Sequence, residues 1–418
     1  MSDAANTRIL NAAVVVSALG YFVDVFDLLL FGVVRVKSLT SLGLSGQALT
    51  DAGISLQNWQ MLGMLLGGIG SGVLGDNFGR VRALYCSIAL YSLANILNGL
   101  APSVEMYAVC RFLAGIGLAG EVGSGITLVA ESLPTEKRGL GTTLMASFGI
   151  LGAVAAGSLD WFVSDWRTAY FLGGGLGLVL LALRLGVAES DIFKKVRTQT
   201  GVARGDFFSL FSSRNRLKRL INSTFLGVTT WFNTGILLML SPEFGVAKGI
   251  PQPVSAATAV IWFHIGMASG DMASGLLSQY LRSRLRAMRI FLSLQAVFVA
   301  AYLFFPVGYA LQMYFLLLLL GFAGGFWAVF ITNASEQFGT NLRATAACTV
   351  PSFVRGLFVP MALCFQFLKS PAQLGGPVPA AAAVGAVCLA LALAASFGLE
   401  ETFSKGLDYV EKLEAGSY

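Results

Sequence analysis

Charge is scarce in this chain. Of 418 residues only 12% are charged, about half the ~25% that solvates an ordinary soluble domain. That shortage excludes a single water-soluble globule. Histidine occurs once and cysteine five times, at Cys86, Cys110, Cys348, Cys364 and Cys388, with no paired spacing. A disulfide framework or a metal centre has little to work with, and the cysteines read as small apolar residues. No nucleophile–base set stands out, which argues against a membrane enzyme. The phosphate-binding pattern G-x4-G-K-[S/T] is missing, which disfavours ATP-driven chemistry. Long alternating stretches are missing too, so a membrane β-barrel does not fit.

Hydrophobic residues, in contrast, make up 56% of the chain. They gather into runs near the ~20 residues that a helix needs to cross about 30 Å of hydrocarbon. A window of that length predicts twelve spans, near 9–34, 56–75, 82–100, 106–130, 141–163, 168–187, 219–241, 254–280, 287–308, 311–334, 344–368 and 377–399. The first run is too long for the apolar core of a signal peptide, so it reads as a span. The longest polar interval, Ala188–Leu220, falls near the midpoint. It predicts two six-helix bundles, 1–187 and 219–400, joined by a cytoplasmic linker over 188–218 and followed by a tail at 401–418.

The net charge of +6 would suit a nucleic-acid partner were the basic residues clustered on a soluble face. Their placement says otherwise. With the N-terminus in the cytoplasm, 21 lysines and arginines fall on the inner side and 5 on the outer, leaving Arg111 and Arg355 within spans. This is the positive-inside asymmetry of a protein with both termini cytoplasmic. The partners it implies are membrane lipid and a small solute, not nucleic acid, and the chain is expected to act as a monomer.

The halves echo one another. Glu131 and Arg138 in "AESLPTEKRG" recur as Glu336 and Arg343 in "ASEQFGTNLRA", 205 positions later. Between the second and third spans, "GVLGDNFGRVRAL" (Gly72–Leu84) sets Asp76 and Arg80 among Gly72 and Gly79. Glycines there permit a tight turn and close helix approach, and Asp76 at a helix end can pair with an arginine or cap a neighbour. In the second half "GLLSQYLRSRLR" (Gly275–Arg286) has Gln279 in place of the acid.

These residues carry a resemblance. "GVLGDNFGRVRAL" is similar to the loop motif G-x-L-a-D-r-x-G-R of the major facilitator superfamily, in the same loop. The Glu-x6-Arg pairs, "DWRTAYF" opening the sixth span and "LEETFSKGLDYVEKL" after the twelfth are also similar. The likeness spans the chain and points to the metabolite–proton symporter and sugar-porter branches. It implies an all-α fold of twelve transmembrane helices in two pseudo-symmetric bundles that move by alternating access. It also implies gating roles for Gly72, Asp76, Gly79 and Arg80, and for the pairs Glu131–Arg138 and Glu336–Arg343.

Charges inside spans are the candidate site, because each costs roughly 2.5–3.5 kcal/mol at a helix centre. Asp24 and Asp27 in "GYFVDVFDLLLFG" lie one turn apart on one face, a pair suited to carrying a proton. Similar acid–aromatic–Asp runs occur in metabolite–proton symporters. Arg111 and Glu121 follow in "CRFLAGIGLAGEVGSG". Arg111 suits either a substrate carboxylate or a gate against Asp24 or Asp27; Glu121 serves the site or only an ion pair. His264 and Asp271 lie seven residues apart in "IWFHIGMASGDMASG", on roughly one face, for coupling or substrate contact. Arg355, between Pro351 and Pro360, needs a substrate anion or an acid such as Asp271. Trp231 and Asn233 in "TTWFNTG" are wall candidates, with aromatic packing an equal account of Trp231.

The expected function is secondary transport of a small organic anion or zwitterion across a bacterial inner membrane. The proton is the expected coupling ion, with no other cofactor and no resident metal. Export of a cation, metal ion or drug by antiport, and solute sensing without transport, are the rivals. The fifth span, "GTTLMASFGILGAVAAGSL", lacks the Gly-Pro signature typical of drug–proton antiporters.

Overall fold

The computed structural model describes residues 12–78, 80–133, 135–184 and 207–403. Among these every regular element is a helix. In the first half, span 1 is Ala12–Ser41, span 2 Gly46–Phe78, span 3 Arg80–Leu100, span 4 Val104–Ser132, span 5 Thr135–Ser158 and span 6 Trp166–Arg184. In the second half, span 8 is Ala256–Leu281, span 9 Arg284–Phe304 and span 12 Pro377–Phe397.

Spans 7, 10 and 11 are interrupted. Span 7 runs through Arg214–Leu226, Val228–Phe232 and a π-helical turn at Asn233–Leu238, then bends by 60° into Ser241–Ala247. Span 10 divides into Ala310–Gly324 and Trp327–Glu336, and span 11 into Thr340–Gly356 and Phe358–Leu368. The break in span 11 falls one turn before Pro360, which has no N–H to return to the Gly356 carbonyl. A pause in the hydrogen-bond ladder inside a membrane bundle is tolerated where protein, not lipid, surrounds it. Phe232, Ile236, Phe326 and Phe330 at these breaks are all buried.

Among the described residues eight helices are long and apolar enough to cross a membrane, or nine with the bent seventh span. Gly46–Phe78, Val104–Ser132 and Ala256–Leu281 complete the twelve; at 33, 29 and 26 residues they have the length. Their hydropathy is diluted by Gln57, Gln60, Arg111, His264 and Asp271, all buried within the bundle. Several helices extend past the apolar stretches. Span 2 begins at Gly46 rather than near 56, and span 7 begins at Arg214, inside the polar interval read as linker. Hydropathy reports the hydrocarbon layer, whereas a started helix continues wherever its backbone stays bonded.

Each half packs the same way. Span 2 lies on span 4, and span 8 on span 10; spans 1 and 5 pack together, and span 3 sits against spans 4 and 6. The halves meet along two seams, span 5 with span 8 and span 2 with span 11. A repeated glycine crossing underlies the symmetry. Gly63 and Gly67 of span 2 leave no room for a Cβ beside the Phe112 and Ile116 carbonyls, and Gly115 none beside Gln60. Gly266 and Gly270 of span 8 do the same against Leu318 and Phe322, and Gly321 against Phe263. Small residues four apart let membrane helices approach to backbone contact, where packing replaces a hydrophobic drive.

Gly266→Ala therefore forces spans 8 and 10 apart and should cost about 1–3 kcal/mol, read as a lower melting temperature in detergent. Gly275→Ala on the same helix, with nothing within 4 Å of the added carbon, should leave it unchanged or raise it.

Candidate functional site

Asp24 and Asp27 are fully buried on span 1, and although one turn apart they face different companies. Asp27 looks into its own half. Arg111 of span 4 and Asn95 of span 3 are its electrostatic and polar neighbours, and Gly173 of span 6 stands back to admit its carboxylate. Arg111 is itself fully buried. Its Nη2 donates to Gln60 Oε1 of span 2, its guanidinium lies 4.9 Å over the Phe31 ring, and Tyr170 adjoins it. The Tyr170 hydroxyl shares a 2.6 Å hydrogen bond with Tyr107. Five spans thus surround one acid and one base.

Asp24 looks the other way, across the seam. Arg355 on span 11, buried, takes Asp24 and Tyr21 of span 1 as its charged and polar neighbours. Tyr21 is in turn within reach of Trp327 and Asp271 of the second half. Sequence reasoning offered Asp271 as a partner for Arg355. In the structure the neighbouring acid is Asp24, and Asp271 is engaged elsewhere: its Oδ1 accepts from the Ala328 N–H at 3.2 Å, across the break in span 10. Physically, an arginine in low dielectric settles against whichever carboxylate the packing presents to it, and here that carboxylate is on span 1.

His264 shares a helix with Asp271 without sharing partners. Its Nδ1 donates to the Val260 carbonyl at 2.9 Å; a carbonyl can only accept, so that nitrogen carries the proton. Phe263 lies edge-on to the ring. Trp231 and Asn233 are buried in span 7, Asn233 opening the π-helical turn. Neither amide atom of Asn233, nor the Trp231 indole N–H, bonds to another described group. The same holds for Gln295 of span 9, and Gln295 and Asn233 both approach Gly324 beside the break in span 10. Buried amides without partners are uncommon, and they stand here as open hydrogen-bonding capacity.

Gly79 lies outside the described residues, as do the surroundings of Gly72 and the side chains of Asp76, Arg80, Glu121, Glu131, Arg138 and Arg343. Glu336 is described, and its partner is Arg284 at the start of span 9, held bidentately at 2.7 and 2.8 Å. Glu401, after span 12, joins the same corner by accepting from the Ser283 hydroxyl and the Arg284 and Leu285 N–H groups. Burial pushes its pKa up, yet these bonds and one from Phe403 together hold it below the usual carboxylate range. The acid lacking at Gln279 is thus supplied from two other elements.

At the end of the bundle where span 1 finishes, the halves are tied by charge. Arg35, fully buried at the end of span 1, meets Glu243 of span 7 at 2.7 Å and the Met239 carbonyl at 3.1 Å. Lys369 after span 11 meets Asp51 of span 2 at 2.8 Å. Sequence reasoning placed Arg35 and Lys369 in outer loops and missed this role, since nothing in one sequence reveals a partner two hundred residues away. Gln60, Asn95, Tyr21, Tyr170, Gln295 and Trp327 were missed for another reason: they are uncharged. Their signal was present, as amides and hydroxyls inside apolar runs.

A twelve-span bundle with ionisable groups at its centre and cross-half ion pairs at one end has the architecture of a transporter. The Major Facilitator Superfamily matches residues 17–363. The chain belongs to that superfamily, and it is an integral membrane transporter, not an enzyme. It is 28% identical over 341 residues, 78% of this chain and 76% of the relative, to the "Probable 4-methylmuconolactone transporter" of Cupriavidus pinatubonensis. It is 27% identical over 300 residues, covering 69% and 70% of the two chains, to the 3-(3-hydroxy-phenyl)propionate transporter of Escherichia coli. Its fold matches a proton:xylose symporter bound to 6-bromo-6-deoxy-D-glucose, with TM-score 0.75 at 16% identity over 94% of this chain and 97% of that one.

Asp27 and Arg111 are electrostatic neighbours with no hydrogen bond between them, and removing either leaves the other less compensated in low dielectric. Asp27→Asn and Arg111→Gln should each lower the melting temperature sharply, and the double variant should recover much of the loss. Additive losses would show that the two side chains do not interact.

Proposed function

We propose that this transporter carries an organic acid together with a proton across the bacterial inner membrane, with both termini in the cytoplasm. Its two halves, 1–187 and 219–400, joined by 188–218 and followed by the tail at 401–418, open alternately to either side. The monomer is the working unit, the proton is the coupling ion, and no other cofactor or metal takes part. The observation that carries this reading is Arg355, a buried cation on one half facing Asp24 and Tyr21 on the other.

The chemistry follows from charge balance. With Asp24 ionised and Arg355 cationic, the junction is neutral. A substrate carboxylate entering against Arg355 would leave one uncompensated negative charge in low dielectric, which is costly. A proton taken up by Asp24 removes that charge, so anion and proton enter and leave together. The guanidinium fork suits a carboxylate bidentately. The open amides of Asn233 and Gln295 and the indoles of Trp231 and Trp327 suit the rest of an aromatic or unsaturated acid. A relative named for a phenylpropionate supports that class. Asp27 and Arg111 remain a pair within the first half and order the helices around span 1. With the termini inside, the Arg35–Glu243 and Lys369–Asp51 bridges close the outer face, and opening to that side breaks both.

The test is uptake of radiolabelled 3-(3-hydroxyphenyl)propionate into proteoliposomes. An inward proton gradient should accelerate it several-fold. Arg355→Gln should raise KM by about 10- to 100-fold, the equivalent of a charged hydrogen bond worth roughly 1.5–3 kcal/mol. Asp24→Asn should keep exchange of internal for external substrate while losing the response to the gradient. Uptake indifferent to the gradient would overturn symport, gradient-driven efflux would indicate antiport, and binding without translocation would indicate a sensor.

A further inference from the structure

The broken span 10 raises a question that substrate binding leaves unanswered: what holds its second segment in place. Trp327–Glu336 is a ten-residue helix that starts anew after the break at Gly325 and Phe326. A helix start exposes amides with no partner inside the helix, and within a membrane these must be met by another group. No side chain on the segment's own N-cap residue, Phe326, can do so. The acceptor comes from span 8. Asp271 Oδ1 takes the Ala328 N–H at 3.2 Å, and the Trp327 N–H lies close to the same carboxylate.

The packing beside this contact allows little slack. A Cβ on Gly325 would stand 2.5 Å from the Asp271 nitrogen and from the Met267 carbonyl oxygen. Gly270, the residue before Asp271, already presses on the Phe322 carbonyl. Asp271 is therefore delivered to the break by the same backbone approach that joins spans 8 and 10. At its far end the segment is also fixed, Glu336 to Arg284 and Asn333 to Thr402 at 3.1 Å. At the first anchor sits Trp327, buried and within reach of Tyr21 on the opposite half.

We propose that Asp271 is a positioning residue: by capping the second segment of span 10 from span 8, it aims Trp327 at the junction between the halves and makes that segment a rigid strut from the junction to the Arg284–Glu336 corner. Asp271 thus acts through Trp327 on the substrate instead of touching it. The effect on transport rests on the carrier reading above; the capping itself does not.

The requirement is an oxygen acceptor at this position, so two variants separate capping from charge. Asparagine keeps a side-chain oxygen, and alanine does not. Hydrogen–deuterium exchange of the purified protein in lipid nanodiscs, which needs no substrate, reads the amides of 327–329 directly. Asp271→Ala should speed their exchange at least tenfold while peptides of span 12 stay protected, showing that the fold survives. Asp271→Asn should keep most of the protection. In proteoliposomes given 3-(3-hydroxyphenyl)propionate, Asp271→Ala should raise KM more than it lowers the maximal rate, with Asp271→Asn restoring KM toward the parent value. Unchanged exchange in the alanine variant would overturn the proposal. Equal loss of protection in both variants would also overturn it, because charge rather than capping would then be at work. If the parent protein fails to transport this acid while the exchange pattern holds, the substrate reading fails and the capping role stands.

Discussion

An ionised side chain within hydrocarbon must find its counter-charge inside the protein, and the central architecture of this transporter follows from that constraint. Among the described residues Arg355 meets an acid across the seam between the two halves, at Asp24. Arg111 is accommodated within one half by Gln60, Phe31 and the neighbouring Asp27. The two arginines thus divide the labour. One makes a stable knot inside a bundle, while the other leaves a junction whose partners can be exchanged. A buried pair that is broken without replacement costs several kcal/mol, which is why the proposed function couples entry of an anion to neutralisation of the acid it displaces.

Around that junction the backbone is interrupted where side chains must be aimed and continuous where the halves must stay rigid. Spans 7, 10 and 11 break near Asn233, Trp327 and Arg355 respectively, and all three residues are buried. Spans 2 and 4, and the upper part of span 10 against span 8, are instead pressed into backbone contact by glycines. Stiff crossings suit the proposed movement of each half as a body; broken helices put polar side chains where, on the same proposal, a solute would sit. The ion pairs where span 1 finishes, Arg35–Glu243 and Lys369–Asp51, are contacts between the two halves.

Much of this was legible in the amino-acid sequence, and what was legible shares a cause. Hydropathy marks where a helix crosses hydrocarbon, so twelve spans and two halves could be read from apolar runs, while the helix ends at Gly46 and Arg214 could not. Intramembrane charge is so costly that Asp24, Asp27, Arg111 and Arg355 declared themselves. Their partners did not, because pairing depends on how helices rotate and cross. Hence Asp24 rather than Asp271 stands beside Arg355, Arg284 holds Glu336, and His264 bonds its own helix. The uncharged members, such as Gln60, Gln295 and Tyr21, went unread because a lone amide or hydroxyl inside an apolar run is common in any helix. The glycine crossing was hidden for a similar reason: with 49 glycines in the chain, the six at the crossings of spans 2 and 4 and of spans 8 and 10 cannot be told from the others by type.

On the proposed function, the halves separate at the end where span 1 finishes when the charge state of the junction changes. Pulsed electron–electron resonance between spin labels at Gln47 and Val246, exposed positions on either side of the Arg35–Glu243 bridge, measures this most directly. The account predicts two distance populations in lipid whose balance shifts toward the longer one in the Asp24→Asn variant, which mimics the protonated acid. A single short distance, unchanged between the parent protein and the variant, would contradict it.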